Sequence, residues 1–176
     1  RRSSDLGGIG SDTASYVEKT QSISVTLTGA VATLVKVAGA NEDTLLNVEN
    51  VISGSGDDTL TGDALDNKFD AGAGNDILTG GAGLDVMDGG AGSDTASYAE
   101  KTLGISVALN LAVSTAVLVN GLAEDSIRNI ENIQGGSGDD TITGDSAANT
   151  LIGNGGTDVL QGLIGNDTLD GGAGND

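Results

Sequence analysis

The chain has no cysteine, no histidine and no proline in 176 residues. Without Cys or His there is no thiolate or imidazole nucleophile, no Ser-His or Cys-His pair, and no zinc or haem site built on those ligands. Disulfides cannot staple the fold; the absence of Cys is compatible with either redox compartment and is what is expected of a secreted protein stabilised by metal instead. Only three aromatics, Tyr16, Phe69 and Tyr98, are available to anchor a globular interior. Cations are scarce too: 7 Lys and Arg stand against 26 Asp and Glu, for a formal charge of −19. Those cations, Arg1, Arg2, Lys19, Lys36, Lys68, Lys101 and Arg128, are scattered and form no basic stripe for a nucleic acid or another polyanion. The longest apolar stretch, Ile105 to Val119, is broken by Ser106, Asn110, Ser114 and Thr115 and is too short to span a bilayer as a helix. The opening Arg1-Arg2-Ser3-Ser4-Asp5 lacks the apolar region of a signal peptide, and Gly171 to Asp176 stops within a motif, so the chain reads as a piece of a longer array.

What the chain has in abundance is glycine, 30 residues, set in a fixed period. From Ser53 to Ser97 and again from Gly135 to Asp176, every nine residues bring a glycine-rich turn, an acid or amide, and an apolar residue two positions later. Gly80 to Asp88 and Gly89 to Ser97 both fit the form G-G-x-G-x-D-x-U-x. An acidic chain with so thin a core would ordinarily read as disordered. The spacing argues otherwise, because acids at nine-residue intervals can face one another across stacked turns, where a cation converts repulsion into attachment.

A longer repeat encloses the short one. Ser11-Asp12-Thr13-Ala14-Ser15-Tyr16 recurs 82 positions on as Ser93-Asp94-Thr95-Ala96-Ser97-Tyr98, and Asn47-Val48-Glu49-Asn50 recurs in the same offset as Asn129-Ile130-Glu131-Asn132. Two tandem units follow, residues 1–88, in which the repeat proper starts near Gly7, and 89–176. Each carries an insert without the nonapeptide, about 16–52 and 98–134, followed by a roll, about 53–97 and 135–176. The inserts alternate apolar and polar residues, as in Ile23-Ser24-Val25-Thr26-Leu27 and Ile105-Ser106-Val107-Ala108-Leu109, which predicts strands. Turn candidates are Ala38-Gly39-Ala40-Asn41 and Asn120-Gly121. Val51 and Ile133 lie nine residues before Leu60 and Ile142, so both inserts are expected to rejoin the roll in register and to pack on it.

A turn that aims carbonyls at a cation needs backbone angles and clearance that a Cβ obstructs, hence glycine. Calcium wants six to eight oxygens from carboxylates and carbonyls. After each acid, three residues form a short strand with the middle side chain inward. The middle positions are Leu60, Phe69, Leu78 and Met87, then Ile142, Leu151, Leu160 and Leu169. The fold class is all-β, a β-roll or β-solenoid with strand-rich inserts.

At these residues the chain resembles the RTX, or hemolysin-type calcium-binding repeat, family, and specifically the tandem-repeat region of a large secreted bacterial protein. The resemblance implies a parallel β-roll with two nonapeptides per coil, so that turns on one edge are eighteen residues apart. It places Asp58, Asp76 and Asp94 on one edge of the first roll, and Asp140, Asp158 and Asp176 on the equivalent edge of the second. The opposite edges carry Glu49, Asn67 and Asp85, then Glu131, Asn149 and Asp167. Several Ca2+ ions are implied between such neighbours, held by the acids and by turn carbonyls. In the first roll those turns contain Gly54, Gly56, Gly72, Ala73 and Gly74, then Gly81 and Gly83, then Gly89, Gly90, Ala91 and Gly92. In the second they contain Gly136 and Gly138, then Gly172 and Gly174. The pattern has departures: Asn67 and Asn149 replace the acid, Leu65 and Ala147 replace a turn glycine, and Leu163-Ile164 interrupt the turn before Asp167. Glu49 and Glu131 lack a glycine turn and read as hydrogen-bonded or solvated carboxylates.

The functional expectation is a non-enzymatic, calcium-binding structural or adhesive segment outside the cell. The resemblance implies type I secretion, with folding on calcium after export. The rival is a carbohydrate-binding accessory module of a secreted enzyme, with a neutral glycan as ligand. End-to-end self-association and attachment to surface or matrix components are further expected partners, without nucleic acid or membrane insertion. Paired-carboxylate hydrolysis needs two acids in different environments, whereas these acids repeat identically along the turns.

Overall fold

The computed structural model describes residues 8–176; Arg1, Arg2, Asp5 and Gly7 lie outside the described residues. The described chain is all β, twenty strands numbered here in chain order, without a helix. Nine form one sheet in the spatial order β1 (Thr13–Ser15), β5 (Asn50–Ile52), β7 (Lys68–Asp70), β9 (Val86–Asp88), β13 (Leu122–Arg128), β12 (Thr115–Val119), β11 (Ile105–Ala108), β15 (Thr141–Thr143) and β18 (Val159–Gln161). Nine form a second, in the order β19 (Thr168–Asp170), β16 (Thr150–Ile152), β14 (Asn132–Gln134), β10 (Thr95–Ser97), β8 (Ile77–Thr79), β6 (Thr59–Thr61), β2 (Ile23–Thr26), β3 (Thr33–Val37) and β4 (Ala40–Leu45). The last two, β17 (Gly155–Gly156) and β20 (Ala173–Gly174), are turns that pair with each other across one coil.

Successive nonapeptides alternate between the sheets, so each strand pairs in parallel with the one eighteen residues away: Leu60 is opposite Leu78, and Phe69 is opposite Met87. Three-residue strands leave room for one inward side chain each. Val51, Leu60, Phe69, Leu78, Met87, Ala96, Ile133, Ile142 and Leu151 are all buried in one cluster shared by both sheets. Leu160 is only partly covered, and Leu169, expected inward, is 48 % exposed. β19 ends its sheet, and no coil lies over it.

The inserts do not pack on the roll as an added layer; they are woven into its sheets. β2 and β11 pair in parallel with β6 and β15, placing Val25 opposite Leu60 and Val107 opposite Ile142. Their alternation supplies the inward side chains of an ordinary roll strand. Each then folds back through two antiparallel partners, β3–β4 and β12–β13. The turns within these pairs are Ala38-Gly39, with φ 49° and 80°, and Asn120-Gly121, with φ 50° and 78°. Positive φ at both central residues is the type I′ hairpin geometry that matches strand twist.

The far edge of β13 pairs in parallel with β9, with Ile127 opposite Met87, so the second insert joins the two rolls within one sheet. From β1 to its counterpart β10 the chain crosses between sheets an odd number of times, and β10 therefore lies in the other sheet. The second unit repeats the first with its two sheets exchanged.

Candidate metal centres

The acids form a ladder along each edge of the roll. The backbone N–H of Asp58 donates to Asp76 Oδ1 at 2.7 Å, and that of Asp76 to Asp94 Oδ1 at 2.8 Å. In the second roll Asp140 N donates to Asp158 Oδ1 at 2.8 Å and Asp158 N to Asp176 Oδ1 at 3.0 Å. On the alternate edges Asn67 N reaches Asp85 Oδ1 at 2.8 Å and Asn149 N reaches Asp167 Oδ1 at 3.0 Å. One oxygen of each carboxylate thus closes the backbone of the coil before it. The other faces its own turn, where a Cβ on the first turn glycine, such as Gly80 or Gly153, would meet it.

Those second oxygens divide into two kinds. In the first turn of each run they are satisfied by protein: Asp58 Oδ2 accepts from Gly54 N at 3.3 Å, and Asp140 Oδ2 from Gly136 N at 2.9 Å. One or two coils further on, the Oδ2 atoms of Asp76, Asp94, Asp85 and Asp158 are buried without any partner. A buried carboxylate oxygen left unpaired is costly. Burial, and repulsion from Asp94 and Asp58, push Asp76 up to about 7. Burial likewise raises Asp85 to about 7, with Asp125 adding repulsion, and Asp94 to about 6, with Glu131 and Asp88 contributing.

Around these oxygens the turns stack closely. Ala73 N donates to Gly54 O at 3.0 Å and Ala91 N to Gly72 O at 2.8 Å. Gly92, at φ 150°, lies so near the Gly74 carbonyl one coil below that a Cβ there would collide with it. Gly56, Gly81, Gly83, Gly89, Gly90, Gly136, Gly138, Gly172 and Gly174 are similarly pressed against backbone or acid atoms of a neighbouring segment. Among the described residues no three acidic side chains converge on one point. Any hard cation here takes its remaining oxygens from carbonyls, which suits calcium.

Asn67 and Asn149, candidate ligands by their place in the ladder, have both amide atoms hydrogen-bonded within the protein. Their Oδ1 atoms accept from Asp63 N at 2.9 Å and Asp145 N at 2.8 Å, and their Nδ2 atoms donate to the Glu49 and Glu131 carbonyls. Asp63 and Asp145 in turn accept from Leu65 N and Ala147 N, so a side chain holds those glycine-poor turns. Glu49 and Glu131 are hydrogen-bonded carboxylates, as read from the sequence: they accept from Asp12 N and Asp94 N and so extend the ladder. The edges also change partners between rolls: the column Asp58, Asp76, Asp94 is continued by Glu131, Asn149 and Asp167. Asp125, which the nine-residue period does not reach, continues the Asn67–Asp85 column, its Oδ1 accepting from Asp85 N at 3.0 Å. The alternation around β13, which places Ile127 inward, is the signal that locates it.

The model of the RTX calcium-binding nonapeptide repeat matches residues 48–64, 61–96, 129–160 and 152–176, in four copies. The chain belongs to this family. The unpaired carboxylate oxygens of Asp76, Asp85, Asp94 and Asp158 lie within the matched residues; Asp125 lies outside them. No curated protein matches the chain.

Proposed function

We propose that this RTX segment is an extracellular structural or adhesive spacer of a secreted protein, folded by calcium ions held between successive turns of one edge. The observation that carries this is the row of buried, unpartnered Oδ2 atoms at Asp76, Asp94 and Asp158. An ion is assigned between Asp58 and Asp76, between Asp76 and Asp94, and between Asp140, Asp158 and Asp176 in the same way. The carbonyls of the turns at Gly54–Gly56, Gly72–Gly74, Gly90–Gly92, Gly136–Gly138 and Gly172–Gly174 complete the shells. Asp85 and Asp167 stand opposite side-chain-held turns and have a poorer set.

Calcium supplies charge neutralisation that a chain of −19 net charge does not, and it crosslinks neighbouring coils. In low-calcium surroundings the row of buried acids opposes the roll; in millimolar calcium it holds the roll together. That is the behaviour required of a chain that folds only after export. The rival glycan module receives no support from an aromatic platform, since Tyr16, Phe69 and Tyr98 are all buried.

The test is circular dichroism in EDTA followed by calcium. The β signal should be small in chelator and develop on calcium addition, with magnesium a poor substitute because it prefers a smaller octahedral shell and keeps its water. A β spectrum unchanged by chelation at neutral pH would overturn the calcium-folded spacer.

A further inference from the structure

Where the second insert joins the two rolls, the stack of glycine turns is interrupted and a lysine stands in the gap. One coil beyond the turn at 80–84 the chain supplies no glycine turn. It brings instead Asp125 from β13 and the loop that runs from Tyr98 to Gly104. The acid ladder continues through Asp85 and Asp125, whose Oδ2 atoms are buried, with the buried Tyr98 hydroxyl turned toward Asp125. Elsewhere such oxygens mark a rung assigned to calcium. Here Lys101 Nζ donates to the Gly81 carbonyl at 2.5 Å, pairs with Glu124, and lies 3.9 Å from Glu100. Its side chain is 13 % exposed, and its charge acts against the burial-driven rise at both Asp85 and Asp125.

We propose that the Lys101 ammonium takes the place of a calcium ion at the junction between the rolls, closing this rung with a cation built into the chain. The coordination chemistry favours it. Calcium requires six to eight oxygens, and β13, a hairpin strand, brings Asp125 without the carbonyls of a glycine turn. An ammonium has three donors and no more to satisfy, and the Gly81 carbonyl and the Glu124 carboxylate already take two. Lys19 and Glu42 repeat the same pair at the same offset in the first unit. Each unit therefore carries the same lysine–glutamate pair beside its hairpin, and in the second unit that pair faces the turn of the preceding roll.

This inference rests on the calcium reading above, and its test separates the two. Bound calcium per chain is measured at saturation by equilibrium dialysis on the full chain, with folding checked by circular dichroism on the same samples. Asp76→Asn should lower the count, while Asp125→Asn should leave it equal to that of the unaltered chain, because the cation at this rung is the Lys101 ammonium on the Gly81 carbonyl. Lys101→Met should leave the count unchanged, because the rung lacks the oxygens an ion needs, and should lower the thermal midpoint in saturating calcium, a loss that adding Asp125→Asn should partly restore. Loss of a calcium in Asp125→Asn overturns the proposal, as does an unaltered thermal midpoint in folded Lys101→Met. If Lys101→Met does not fold, the Asp125→Asn count decides alone. If the unaltered chain binds no calcium, the proposed function itself fails.

Discussion

Asp76 and Asn67 occupy the same position of the nonapeptide and have opposite fates. Asp76 keeps one oxygen for the backbone and leaves the other buried and unpaired, between Asp58 and Asp94; Asn67 satisfies its whole amide within the protein. Asp76→Ala should therefore remove calcium from two neighbouring rungs, while Asn67→Ala should cost only local stability, on the order of 1 kcal/mol for its lost hydrogen bonds. Calcium titration of both variants measures this, and equal losses would mean the edges are assigned wrongly. The same acids set a pH dependence. In the metal-free roll Asp76 and Asp85 titrate near 7 and Asp94 near 6, above their ordinary range. A raised folded-state pKa contributes stability that is fully present below about 4, the unfolded value, and is lost as pH rises through 6 to 7. In EDTA the β signal should accordingly grow as pH is lowered from 8 to 5, while calcium, which needs the ionised acids, should lose affinity over the same interval. A flat EDTA spectrum across that range would count against buried, protonatable acids.

The hairpins show how an element foreign to the nonapeptide fits the roll. Both inserts enter through a strand whose inward residues take the roll's register, and both turn on a two-residue type I′ loop. The second uses Asn120-Gly121, the residues that tolerate positive φ at least cost. The first puts Ala38 at φ 49°, where its Cβ crowds the backbone. Ala38→Asn should raise stability in calcium by roughly 1 kcal/mol, read as a higher thermal midpoint, with the calcium count unchanged. A lower midpoint would show that this turn is held by something other than its dihedral preference. At the junction, β13 adds to its ladder with β9 an ion pair between Arg128 and Asp88, and Asn129 Nδ2 donates to the other Asp88 oxygen at 2.6 Å.

On the scale of the whole molecule, two nine-stranded sheets run through both units, and no linker separates them in the described residues. A hinge at the junction would have to break the β9–β13 pairing, the Asp85–Asp125 bond and the Lys101 contacts together. Small-angle scattering in calcium should give a single stiff, elongated particle; in EDTA the same chain should expand and lose its rod-like profile. Two bodies reorienting about residues 98–134 in calcium would contradict the spacer function.

The sequence by itself determined the strand and turn period, the inward column from Leu60 to Leu151 and the inserts' strands, while the pairing of acids eighteen residues apart was what the family resemblance implied. The first three follow from local geometry: a nine-residue repeat sets one turn, one acid and one inward side chain, and stacking copies it. Tertiary structure alone decided which acids share an edge across the junction between rolls, because that depends on how many times the chain crosses between sheets in a unit. It also recruited Asp125 to the ladder, 40 residues from Asp85 and outside any multiple of nine, since a hairpin places a strand by its pairing partners and not by its spacing. Whether an acid is satisfied by the backbone, as Asp58 is by Gly54, or left unpaired, as Asp76 is, was likewise settled by which segment lies over its turn. The repeat fixes the ligand type at each rung, and the neighbouring coil fixes whether a cation is needed there.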